Sequence, residues 1–128
     1  MQPKYNIWIE NDGNVVLSPW RVKLLEKIEE LGSISSAAAA LDLQYRRAWE
    51  RVREIEHELG APVVITTVGG PHGGSARLTQ DAKRAIEHFK AFTDGLDAEI
   101  TRRYVEAYGK TPSGPLQAPR RRRHAPKE

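Results

Sequence analysis

Four consecutive alanines, Ala37 to Ala40, follow the serines Ser33, Ser35 and Ser36 and run into Leu41-Asp42-Leu43. Alanine loses no side-chain entropy in a helix and favours it over every other state. Ser33 or Ser35 can cap the run by accepting a backbone N–H. An alanine-rich helix this short lets a neighbour pack close, and neighbours stand on both sides. Ser18-Pro19 marks a helix start, serine at the cap and proline at the first helical position. Val22, Leu24, Leu25, Ile28 and Leu31 then recur at helical spacing up to Gly32, a C-terminal stop. After the LDL turn, residues 43–60, LQYRRAWERVREIEHELG, read as a third helix ended by Gly60 and Pro62.

Two hairpins flank the three helices. YNIWIENDGNVVLS alternates apolar and polar residues around Asp12-Gly13, a strong hairpin signal. After the third helix come VVITTV, a loop GGPHGGS and a short run ARL, which read as two strands about a glycine-rich loop. Thr79 caps a long helical segment reaching Tyr108, with Ala82, Ala85, Ile86, Phe89, Phe92, Leu96 and Ile100 on one stripe. Gly95 interrupts that segment, kinking it or ending its first part. From Thr111 on, Pro, Gly, Ser and Arg dominate and no apolar pattern survives. The expected organisation is one domain over 1–110 and a disordered basic tail over 111–128.

The third helix carries four arginines, and their direction matters. With Ala48 at zero and about 100° per residue, Val52, Ile55 and Leu59 fall within about 40° and form the core face. Arg46, Glu50, Arg53 and His57 point away, with Arg47 and Glu54 flanking. One reading is a solvated face laced by Arg46–Glu50 and Arg53–His57 pairs, with Glu50 and Glu54 repelling. The element order supplies another: helix, four-residue link, short helix, short turn, helix, hairpin is a helix-turn-helix followed by a wing. In such a unit the third helix enters the major groove by its first residues, here Gln44, Tyr45, Arg46 and Arg47. All four can hydrogen-bond a base edge or a phosphate.

The fold expected is mainly α with small β-hairpins, a winged helix-turn-helix plus a long C-terminal dimerisation helix. The formal charge of +3 does not itself point to nucleic acid. Residues 111–128 carry five basic residues and one acid, +4, which leaves −1 for the first 110. Any case for DNA rests on local placement. There is no cysteine, hence no disulfide and no thiolate metal site. His57, His72, His88 and His124 show no metal-ligand spacing, and the Ser33–Ser36 cluster has no nearby histidine in a usable frame, so neither an enzyme nor a cofactor is expected. No apolar run suits a membrane span or a signal segment, so a cytoplasmic protein without membrane contact is the default.

Residues 18–80 resemble the N-terminal DNA-binding domain of ModE-type regulators, akin to that of LysR-type regulators. The segments that carry the resemblance are RVKLLEKIEELGSISSAAAALDLQYRRAWERVREIE and GGPHGGSARLT. They include GSIS at the second helix, then Tyr45, Arg46, Ala48, Trp49 and Glu50 on the third, and Leu78-Thr79 closing the wing. NIWIENDGNVVL looks like the hairpin of short, single-domain members. The resemblance implies a dimeric, sequence-specific regulator of transcription that binds double-stranded DNA. Where the family's wing carries a basic residue this chain has Pro71-His72. The family's oxyanion-binding domains lie C-terminal to the DNA-binding part, where this chain has a short polar tail, so molybdate or oxyanion binding is not expected.

The candidate DNA-contacting residues are Ser33, Ser35, Ser36, Gln44, Tyr45, Arg46, Arg47, Glu50, Arg53, His72, Gly73 and Gly74. The serines either cap the second helix or hold a phosphate. Gly69, Gly70, Gly73 and Gly74 either let the wing backbone approach DNA or simply make a flexible turn. Trp49, at the edge of the core face, packs on the wing or the helix-turn-helix, or contacts DNA. Phe89, Phe92, Leu96 and Ile100 are the candidate homodimer interface, on the coiled-coil-like spacing of 85, 89, 92 and 96 and on the use of this helix in related regulators. Arg120, Arg121, Arg122 and Arg123 are either a cationic arm on DNA or a solubilising tail. The rival reading is a protein-interaction module of winged-helix fold, docking a partner through its wing and basic tail. The near-neutral body favours it, and the arginines at the groove-facing end favour DNA.

Overall fold

The computed structural model of the chain describes residues 1–68 and 74–117. The order of elements is β1 (Ile9–Asn11), β2 (Asn14–Leu17), α1 (Pro19–Leu31), α2 (Ile34–Ala40), α3 (Tyr45–Leu59), β3 (Val64–Thr67), β4 (Ser75–Leu78), α4 (Gln80–Thr93) and α5 (Leu96–Tyr108). This is the expected mainly helical chain with two antiparallel hairpins, β1–β2 and β3–β4.

Local chemistry sets the element ends. Asp12 and Gly13 both take positive φ, 47° and 86°, as the two-residue turn between Asn11 and Asn14 requires. The Ser18 hydroxyl accepts from Arg21 N at 3.1 Å, and Pro19 opens α1. Gly32 closes α1 in the left-handed region and gives its N–H to the Ile28 carbonyl at 2.8 Å. Ser33 caps α2 by accepting Ser36 N at 3.0 Å. The turn into α3 places Asp42 at φ 54°, and Leu43 N bonds the Ala38 carbonyl at 2.8 Å.

The core lies where α1, α2 and α3 meet. Leu24, Leu25, Ile28, Ala37, Ala48, Val52, Ile55 and Val63 are completely buried there. The alanines of α2 fit a gap between two longer helices that larger side chains would overfill. Leu31, expected on the apolar stripe, is exposed instead, because α1 has run past the core by its last turn. Two inward residues lie outside that stripe: Trp20 and Arg21, at the start of α1, are both buried.

The wing is tied to the helices at its base. Its ladder pairs Val64 with Leu78 through Thr67 with Ser75. Ala76 N donates to the Gly32 carbonyl at 2.7 Å, and Leu78 N donates to the Glu29 carboxylate at 3.0 Å. Thr79 N reaches the Val63 carbonyl at 3.0 Å, and the Thr79 hydroxyl caps α4 through Ala82 N. The wing therefore leaves the body in a direction set by α1.

The C-terminal helical segment forms, but as two helices. α4 ends at Thr93, Asp94 is extended, and Gly95 turns the chain left-handed at φ 79° before α5. The tail boundary at 111 needs correction. Tyr5 pairs with Gln117 in a parallel bridge, Lys4 Nζ donates to the Pro115 carbonyl at 2.6 Å, and Leu116 is buried. One apolar residue with an N-terminal segment to pair against suffices to hold 111–117 in place. Among the described residues, no helix is long and apolar enough to cross a membrane.

Candidate nucleic-acid interface

The first turn of α3 projects from the body. Gln44, at the cap position, makes no side-chain capping bond, so its amide stays available. Gln44, Tyr45, Arg46, Arg47, Glu50 and Arg53 are all exposed, whereas Ala48 behind them is fully buried. No ion pair engages Arg46, Arg47 or Glu50 among the described residues. The expected Arg46–Glu50 and Arg53–His57 pairs do not form. Arg53 instead lies over the Trp49 ring, 5.5 Å from its centre.

Glu54 is committed elsewhere. It turns away from the outward face to accept from Arg21 Nη2 at 2.7 Å and from Arg51 Nη1 at 3.0 Å. Arg21 also donates to the Val15 carbonyl at 3.0 Å, so α1, α3 and the N-terminal hairpin meet at the Arg21 guanidinium. Asn11 Nδ2 adds a bond to the Glu58 carbonyl at 2.8 Å. Two nearly buried guanidiniums attract a carboxylate more strongly than a solvated neighbour does. The sequence reading missed Arg51, although it lies only about 60° from Ala48 on the helical wheel, three residues before Glu54.

Beside the turn lies an open cleft of about 580 Å³, walled by α2, α3 and the wing. Trp49 is half-buried against the core and forms one wall, with Thr66, Thr67, Ser75 and Ala76 of the wing opposite. Tyr45 meets Trp49 edge to face, with ring centres 6.5 Å apart at 81°. Ser33 and Ser35 border the same cleft. Ser33 is committed to capping, and its hydroxyl also donates to Ser36 at 2.8 Å, whereas Ser35 is exposed. Gly74 has a reason of its own within the chain: a Cβ there would sit 2.1 Å from the Thr67 carbonyl oxygen. His72 and Gly73 lie outside the described residues, as do Arg120, Arg121, Arg122 and Arg123.

The residues expected to make a dimer separate into two groups. Phe89 is buried in the core of its own chain, next to Ile86. Phe92 is 53% exposed, and Leu96 and Ile100 are half-buried. Phe92 borders an apolar groove of about 290 Å³ with Ile9, Val16, Leu17, Leu59 and Ala85.

Residues 20–83 match the model of the bacterial regulatory helix-turn-helix proteins of the lysR family. The chain belongs to this family. The chain is 30% identical over 117 residues to the molybdenum transport protein ModE of Azotobacter vinelandii, covering 91% of this chain and 43% of that protein. It is 41% identical over 76 residues to the molybdenum-pterin-binding protein MopB of Rhodobacter capsulatus, covering 59% of this chain and 28% of the other. The DNA-binding transcriptional dual regulator ModE of Escherichia coli K12 is 30% identical over 87 residues, 68% of this chain and 33% of that one. The chain thus spans less than half the length of these relatives, and the ModE resemblance read from residues 18–80 holds. The full-length LTTR LysG from Corynebacterium glutamicum with bound effector Arg shares the fold, with a TM-score of 0.50 and 22% identity over 70% of this chain and 30% of that one.

Proposed function

We propose that this LysR-family chain binds double-stranded DNA sequence-specifically and regulates transcription as a homodimer, with no catalytic role. The observation that carries the reading is the first turn of α3, where Gln44, Arg46 and Arg47 stand exposed and free of ion pairs beside a wing. Such unpaired donors at the leading end of a helix suit insertion into a major groove. Arg46 and Gln44 read base edges, and Arg47, Arg53, Ser35 and Ser36 meet phosphates. Tyr45 and Glu50 complete the groove-facing surface, Ser33 orders the α2 end, and His72, Gly73 and Gly74 belong to the wing's contact. Phe92, Leu96 and Ile100 form the dimer contact, with Phe89 supporting them from within.

Selection of duplexes from random DNA by the full chain, followed by mobility-shift titration, tests the reading. A consensus sequence is expected. Arg46→Ala weakens binding to it by about 1–3 kcal/mol and relaxes preference at one base pair. Equal loss on every operator variant makes Arg46 a phosphate contact, and retention of no duplex above background overturns the proposal.

A further inference from the structure

The cleft between α3 and the wing holds no charged side chain among the described residues, and phosphates are left to its α2 edge, where Ser35 stands. Ile34, Tyr45, Trp49, Val68 and Ala76 give it apolar walls, and among the described residues no Lys, Arg, His, Asp or Glu lines it. Three of its hydroxyls are engaged within the chain, since Ser33 bonds Ser36 and Thr67 bonds Ser75, while Ser35 of α2 stands exposed. An anion entering here loses water and gains no cation in return. Yet Tyr45 is 54% exposed and Val68 wholly so. Tyr45 stands in water between Gln44 and the two arginines Arg46 and Arg47 in sequence, and Val68 exposes apolar surface to the same cleft. The Trp49 ring in the same cleft is held by Arg53 over it and by the edge contact with Tyr45. This is a shaped apolar seat continuous with a surface of hydrogen-bond donors.

On the major-groove edges of the four base pairs the one apolar substituent is the C5 methyl group of thymine. Resting on the DNA-binding reading above, we infer that Tyr45 and Trp49 form a seat for a thymine methyl and so set base preference at a position that the arginines do not read. The deoxyribose of any nucleotide also offers C–H surface, but it is present at every position and confers no preference for thymine.

The test replaces each thymine of the selected operator in turn by deoxyuridine, which keeps the pairing and the groove's hydrogen-bonding pattern and lacks only the methyl. The full chain should bind about fourfold more weakly at one or two positions, the transfer value of a single buried methyl group, and equally well elsewhere. Tyr45→Phe keeps the difference. Tyr45→Ser, a change at an exposed position that leaves the core intact, binds the two duplexes alike. Operators insensitive to every replacement overturn the inference and leave DNA binding standing. A difference undiminished in Tyr45→Ser places the methyl contact elsewhere and overturns it as well. Selection of no duplex at all removes both readings together.

Discussion

Replacing Glu54 by alanine separates the helical-wheel reading of α3 from its structure, because the two demand opposite signs. On the wheel, Glu54 flanks the solvated face one turn from Glu50, and its removal relieves a repulsion. In the structure it accepts from Arg21 and Arg51, whose side chains are only 5% and 10% exposed, while its own is 46% exposed. A hydrogen bond to a charged group contributes about 1.5–3 kcal/mol when buried. Two such bonds, roughly halved for the solvent that reaches the carboxylate, give about 2 kcal/mol. Arg21 keeps its bond to the Val15 carbonyl, so the loss stays below the cost of orphaning a buried charge. The expected fall in midpoint is roughly 8 °C for a domain of this size. Urea and thermal unfolding followed by circular dichroism measure it, with Arg102→Ala as the control. Arg102 pairs with Glu99 and Glu106 on an exposed face of α5, and its loss should leave the midpoint nearly unchanged. A Glu54→Ala variant as stable as the control, or more stable than the parent, refutes the reasoning.

The two phenylalanines of α4 should behave differently: Phe89→Ala costs about 3–5 kcal/mol of stability, whereas Phe92→Asp leaves the fold intact and yields monomers in sedimentation. A parent chain that sediments as a monomer at micromolar concentration sinks the dimer. The Leu78 N–H, with Lys83 and Arg77 adding to it against a desolvation cost, holds the Glu29 carboxyl below its ordinary value. This depressed folded value means that the tie stabilises the wing base above the usual glutamate range and is lost as pH falls through the folded value. The Leu78 amide resonance should titrate with a midpoint below that of an ordinary glutamate, and a midpoint at or above the ordinary range refutes the tie. Truncation after Gln117, which spares the Tyr5 bridge, should reduce the salt slope of DNA binding by about 0.9 for each phosphate that an arginine no longer neutralises. Identical slopes for the cut and full chains mean that Arg120 to Arg123 do not touch the duplex.

Interactions within a few residues were legible in the sequence. Ser18-Pro19, Ser33, Thr79, Gly32 and Gly60 act on their own helix ends, and Asp12-Gly13 makes its own turn. Those local rules set the element order and with it the helix-turn-helix and wing. The outward turn of Arg46 followed from helical periodicity, and the element order put Gln44, Tyr45 and Arg47 beside it at the leading end of α3. What periodicity could not supply was the partner of each side chain. Glu54 finds Arg21 from another helix, 33 residues away. Phe89 and Phe92 share a stripe, yet only Phe89 meets the core, since coverage depends on where α4 crosses the body. Residues 111–117 lack an apolar pattern and are held by residues near the other end of the chain. A stripe or a charge declares itself over one or two turns of helix, but which partner it meets is settled by where distant segments are brought together, and that is a property of the packed chain.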